Sequence, residues 1–137
     1  MKTDISVIVP FLNEEENIFS LCETLDGYAA GKPYRLEVLF VDDGSTDRSV
    51  ERLREYAFQH IQARILRLSQ NYGSHAALRA GVARAQSEYC MFFSADLQEP
   101  VELIGMLYDK IREGYDLVGV QKGEVQIGTF EKLFSRM

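Results

Sequence analysis

The sequence is poor in the residues that build disulfide scaffolds and histidine metal sites: it holds two cysteines and two histidines in 137 residues. Neither Cys22 nor Cys90 sits at a metal-type spacing. Both lie among apolar neighbours and are expected as reduced thiols in the core. His60, at an expected helix end, and His75, at an expected helix start, have no metal spacing between them, and no Ser/His/Asp nucleophile pattern is present. Basic runs are also missing. With 15 basic against 21 acidic residues and a net charge of −6, no nucleic-acid partner is expected. An anionic ligand would need a metal or local amide donors to offset repulsion. The N-terminus "MKTDISVIVP" has no signal-peptide pattern, and no apolar run approaches the roughly 20 residues of a membrane span. As given, the chain is expected to be soluble and cytoplasmic.

What is present suits one domain with a real core, since 46% of the residues are apolar. Short apolar runs alternate with helical patterns. Strands are expected over residues 5–10 ("ISVIVP"), 36–41 ("LEVLFV"), 64–69 ("RILRLS"), 89–94 ("YCMFFS") and 116–121 ("DLVGVQ"). After Asn17, the positions Ile18, Leu21, Cys22 and Leu25 follow helical spacing. Ser45 or Thr46 is expected to cap the next helix, with Val50, Leu53 and Ala57 on one face. An alanine-rich helix over residues 74–85 suits close packing. Pro100 suits a helix start, ahead of a stripe of Leu103, Ile104, Leu107 and Ile111. This alternation predicts an α/β fold, a mostly parallel sheet with helices on both faces.

In such sheets ligands bind beyond the carboxyl ends of the strands. Polar clusters follow four of the expected strands: "FLNEEEN", "DDGSTD", "SQNYGS" and "SADLQEP". Their convergence on one rim does not depend on any single motif. In "DDGSTD", Gly44 permits a tight turn, and Asp42, nearest the strand end, is the ligand candidate. Ser45, Thr46 and Asp47 read as turn and cap. Helix-start electrostatics account for Glu15 and Glu16, whereas Glu14 is open between helix and rim. The turn after the first strand lacks the glycines of a dinucleotide site or a P-loop.

If "SADLQEP" stays extended, Ser94, Asp96 and Gln98 share a face. A carboxylate and an amide oxygen together suit Mg²⁺ or Mn²⁺, which take few protein carboxylates and fill their shell with phosphates and water. The same segment also reads as a plain strand-to-helix loop.

In order, "VIVPFLNEEENI", "LEVLFVDDGSTDRS", "LRLSQNYGSHAALRAGVARA", "SADLQEPVELI" and "GYDLVGVQKG" resemble the nucleotide-sugar-binding half of family-two glycosyltransferases with the Rossmann-like GT-A fold, and the polyprenyl-phosphate group among them. The resemblance covers nearly the whole chain, residues 1–137, as one catalytic domain truncated at its C-terminus. It implies inverting transfer of a sugar from a UDP- or GDP-type nucleoside-diphosphate sugar, with polyprenyl phosphate or a cell-surface glycan precursor as acceptor. It implies that Pro10, Leu12, Glu14, Asp42, Asn71, Ser94, Ala95 and Asp96 contact the donor. It further implies that Asp96 is the catalytic metal ligand, with Gln98 beside it on the divalent cation. Membrane association through regions absent here and a homo-oligomer are compatible with it. Two departures stand out: Ser94 replaces the usual first acid of Asp-x-Asp-x-Gln, and Lys122 stands alone where lipid-phosphate members carry arginines. Two alternatives are kept: a nucleotide-binding module without transfer activity, and a nucleotidyltransferase, which the acidic first loop disfavours.

Overall fold

The computed structural model describes residues 2–115 and the strand backbones Gly119–Gln121 and Glu124–Gln126. The chain divides into two compact units at Val101 and Glu102.

In the first unit, four strands form one parallel sheet: β1 (Ile5–Phe11), β2 (Leu36–Asp42), β3 (Gln62–Arg67) and β4 (Tyr89–Phe92). Their spatial order is β3-β2-β1-β4. Three helices, α1 (Ile18–Ala29), α2 (Ser49–Glu55) and α3 (Ser74–Arg84), lie between them in the chain. The order reverses beside β1, where the chain crosses from β3 to β4 on the other flank. Such a switch point is where open α/β sheets bind ligands.

The two central strands are apolar runs because both of their faces are covered. On one face Ile8, Leu39 and Val41 pack with Ala77 of α3, all fully buried. Gly81 allows that approach, since a Cβ there would fall 2.5 Å from Ile8 Cγ2. The alternate residues Val7, Val9, Val38 and Phe40 are equally buried on the other face. The stripes of α1 (Ile18, Leu21, Cys22, Leu25) and α2 (Val50, Leu53) are buried too, and these helices pack on each other. Asp26 closes this layer by accepting the Gln59 and His60 amides.

Polar groups also enter the sheet at its amino end. The Glu37 carboxylate is fully buried in β2. It accepts from Ser6 Oγ at 2.7 Å, Arg64 Nη1 at 2.7 Å and the Gln86 amide at 3.0 Å. Burial pushes its pKa up, but these donors outweigh burial and hold it below the ordinary carboxylate value.

Several expectations are corrected. Helix α2 begins at Ser49 with neither Ser45 nor Thr46 capping it; Asp47 Oδ1 accepts the Ser49 amide at 2.9 Å instead. The helix ends at Glu55, which leaves Ala57 outside it and exposed. Cys22 is buried as expected, but Cys90 is exposed, because the edge strand β4 buries only Met91 of its four residues.

In the second unit, α4 (Leu103–Ile111) buries Leu103, Ile104 and Tyr108, while Leu107 and Ile111 are half-buried. Pro100 precedes this helix rather than lying in its first turn. The strand expected over residues 116–121 appears as β5 (Gly119–Gln121), paired antiparallel with β6 (Glu124–Gln126) and not part of the parallel sheet. Residues 116–118 and Lys122 lie outside the described residues. Among the described residues, no helix is long and apolar enough to cross a membrane.

Candidate active site

The strand ends of the first unit enclose a cleft of about 700 Å³, within the range of small-molecule sites. β1 and the turn after it supply Pro10, Phe11, Leu12 and Glu14. The end of β2 supplies Asp43, and the loop before α3 supplies Asn71 and Gly73. Ser74 and Leu78 of α3 follow, and β4 with its loop adds Phe92 to Asp96 and Glu99.

Three of the four loops are sewn together. Asn13 has φ 53°, a left-handed conformation that asparagine tolerates better than most residues. That twist aims its side chain at the second loop. Its Oδ1 accepts the Thr46 amide at 2.9 Å and the Asp47 amide at 3.3 Å, and its own amide donates to Ser45 Oγ. The Glu14 amide donates to Ser49 Oγ and the Glu15 amide to Asp47 Oδ2. The Glu15 side chain returns to the Arg48 amide. Asp43 then ties the second loop to the third. Its Oδ1 accepts from Tyr72 N at 2.8 Å and Gly73 N at 3.2 Å, and its Oδ2 from Gly73 N at 3.1 Å.

The acid pair therefore divides its work differently from the sequence expectation. Asp42 is fully buried and lies outside the cleft lining. Its Oδ1 accepts the Ser45 amide at 2.9 Å, and Oδ2 faces Arg67 Nε at 3.4 Å. Among the described residues Oδ2 has no hydrogen-bond donor. Asp43, which the sequence reading passed over, lines the cleft. The signal was available: an aspartate followed by "DGS" is placed to take the turn amide of Ser45, which commits Asp42 to the turn.

The fourth loop folds on itself. Leu97 has φ 58°, and its amide donates to Ser94 O, so residues 94–98 turn rather than extend. Ser94 and Asp96 are still brought together: Ser94 Oγ donates to Asp96 Oδ1 at 2.5 Å. The Gln98 amide donates to the same oxygen at 3.2 Å, whereas its side chain is not in the cleft lining. The Ser94 hydrogen bond, above all, holds the Asp96 carboxyl below its ordinary value, so Asp96 is an anion across the neutral range. Of the residues expected at the donor site, Pro10, Leu12, Glu14, Asn71, Ser94, Ala95 and Asp96 line one cleft.

Among the described residues, no group of three or more His, Cys, Asp or Glu side chains could hold a metal by itself. Asp96 nevertheless fits a hard divalent ion that draws most ligands from elsewhere. It is exposed and ionised, and among the described residues both of its side-chain hydrogen bonds fall on Oδ1, leaving Oδ2 for a cation.

A parallel sheet with a polar cleft at its switch point defines an α/β ligand-binding domain. Residues 6–136 match glycosyl transferase family 2, and the chain belongs to that family. The undecaprenyl-phosphate 4-deoxy-4-formamido-L-arabinose transferase of Pectobacterium carotovorum is 41% identical, over 97% of this chain and 41% of that protein. The chain thus spans about two fifths of that relative's length. Among solved structures, S. aureus TarS 1-349 in complex with UDP-GlcNAc is similar with TM-score 0.67 and 26% identity, over 80% of this chain and 31% of that one. The mannosyltransferase PcManGT from Pyrobaculum calidifontis, in complex with GDP-Man and Mn²⁺, gives TM-score 0.60 and 28% identity, over 70% of this chain and 28% of that one. These neighbours agree with the GT-A fold expected from the motifs.

Proposed function

We propose that this chain is the nucleotide-sugar-binding portion of an inverting, metal-dependent glycosyltransferase that uses a UDP- or GDP-sugar, with a polyprenyl phosphate as acceptor. One observation carries this reading: four strand ends meet in one cleft of about 700 Å³, with the ionised Asp96 in its wall. The names of the relatives support the donor and acceptor classes.

In this reading Pro10, Leu12 and Glu14 receive the base and ribose, and Asn71 lies near the donor. Asp42 shapes the base pocket from beneath by fixing the turn at Ser45. Asp96 would hold Mg²⁺ or Mn²⁺, and Ser94 favours its ionised form by donating to Oδ1. Gln98 contributes its amide to Asp96 rather than a metal ligand. When bound, the metal offsets the charge that grows on the departing nucleoside diphosphate. The acceptor oxygen bonds to the anomeric carbon as the bond to the diphosphate oxygen breaks, on opposite faces of the sugar. An ionised phosphate acceptor gives up no proton, so this chain need not supply a base.

Calorimetry of the full-length protein with UDP- and GDP-sugars, with and without Mn²⁺, tests the reading. Saturable, Mn²⁺-enhanced binding that Asp96→Ala abolishes is expected; no binding of any nucleotide would sink it. Sugar transfer by the same protein separates an enzyme from a module that only binds.

A further inference from the structure

The cleft places a buried carboxylate where it grips backbone rather than a free ligand. We infer that Asp43 is the positioning residue of the cleft, clamping the loop before α3 so that Asn71, Gly73 and Ser74 form its wall. The consequence for affinity rests on the nucleotide reading above; the clamp itself does not.

Two features on opposite sides of one peptide carry the inference. Asp43 is 5% exposed, and its side chain takes both the Tyr72 and Gly73 amides, with three contacts of 2.8 to 3.2 Å. Hydrogen bonds to a charged acceptor are the stronger kind. Next to it, Gly44 has φ +89°, and a Cβ there would lie 2.7 Å from Asn71 N and 2.8 Å from Gln70 C. The loop is therefore pulled in by Asp43 and admitted by the bare Gly44. Gly73, with φ 98°, needs its own left-handed conformation to present its amide, which also donates to Asn71 Oδ1 at 3.1 Å. The Asp43–Gly44 pair thus sets the Asn71 side chain through two backbone contacts.

The experiment uses the full-length protein and three variants: Asp43→Ala, Asp43→Asn and Gly44→Ala. Hydrogen exchange at Tyr72 and Gly73 is followed without ligand, and UDP and GDP affinities are measured by calorimetry. Asparagine keeps one carbonyl acceptor for the Tyr72 amide but loses the charge and sets an amide donor against the Gly73 N–H. Exchange should therefore speed up at Gly73 more than at Tyr72, and nucleotide affinity should fall less than with alanine. Alanine should speed exchange at both amides at least tenfold and weaken nucleotide binding about tenfold or more. Gly44→Ala should reproduce that loss with the carboxylate intact, and it serves if Asp43→Ala does not fold. Unchanged exchange in Asp43→Ala overturns the clamp even if affinity falls, because Asp43 would then act by touching the nucleotide. Exchange at Tyr72 as fast in Asp43→Asn as in Asp43→Ala overturns it as well, because asparagine keeps that acceptor. Wild-type protein that binds no nucleotide removes the functional reading, while the exchange data still decide the clamp.

Discussion

Replacing Glu37 should cost about as much stability as truncating a fully buried apolar side chain, although the residue is polar and far from the cleft. Its carboxylate is fully buried and satisfies three donors: Ser6 Oγ, Arg64 Nη1 and the Gln86 amide. Glu37→Ala orphans the Gln86 amide and the Ser6 hydroxyl. An unsatisfied buried polar group costs about 1–3 kcal/mol. Arg64 keeps the Arg84 carbonyl at 2.7 Å and is partly open to water, so its share is smaller. The sum agrees with the roughly 3–5 kcal/mol lost when one partner of a buried ion pair is removed. For a domain of this size that lowers Tm by about 10–20 °C. Glu37→Gln retains shape and one acceptor and should cost about half as much or less. The pH dependence follows from the direction of the shift. The folded carboxyl titrates below its ordinary value of 4.5, so its stabilisation is complete well above 4.5 and fades as pH falls through the folded value. The Tm gap between wild type and Glu37→Gln should therefore be widest near neutral pH and narrow as pH falls below 4.5. Thermal melts followed by circular dichroism at several pH values measure this. A Tm loss under about 3 °C for Glu37→Ala, or a gap that does not change with pH, would refute the reasoning.

Other predictions concern the cleft and the packing around it. Ser94→Ala removes the main donor to Asp96, so Mn²⁺-dependent nucleotide binding should be lost at a higher pH than in wild type, as read by calorimetry across pH 4–7. Ser94→Asp sets a second carboxylate beside Asp96; binding should become tighter with Mn²⁺ and weaker without it, and unchanged binding would place position 94 away from the metal. Gly81→Ala should destabilise by about 1–3 kcal/mol through overpacking against Ile8, despite the better helix propensity of alanine; a gain in Tm would contradict the close approach. With a thiol reagent at pH 8, Cys90 alone should react in the folded protein, since Cys22 is buried and its thiol is pushed up to about 12.

Most of the parallel sheet was legible because its strands are unbroken apolar runs and its helices keep a regular stripe. Strand β1 was expected over residues 5–10 and spans Ile5–Phe11; α3 was expected over residues 74–85 and spans Ser74–Arg84. The convergence of seven expected donor-site residues on one cleft follows from the same periodicity, since parallel strands bring all their carboxyl ends to one edge. What escaped depended on partners distant in the chain. Period and propensity do not distinguish Asp42 from Asp43; their roles are set by amides at Ser45, Tyr72 and Gly73. The turn at Leu97 was hidden because a leucine at φ 58° carries no glycine signal. The exposure of Cys90 depends on β4 being an edge strand, which strand order decides and local sequence does not.

The sewing of the loops also bears on how such a cleft can change. The loops after β1, β2 and β3 share their hydrogen bonds, so Asn13, Asp43 and Gly44 constrain one another. A substitution in one of these loops is inherited by the others, and their effects on binding will not add. The loop after β4 is stapled chiefly to itself through Ser94, Asp96 and Gln98. It can be exchanged or reshaped without unravelling its neighbours. Three walls of the cleft thus form a fixed mould, and the fourth is a replaceable panel.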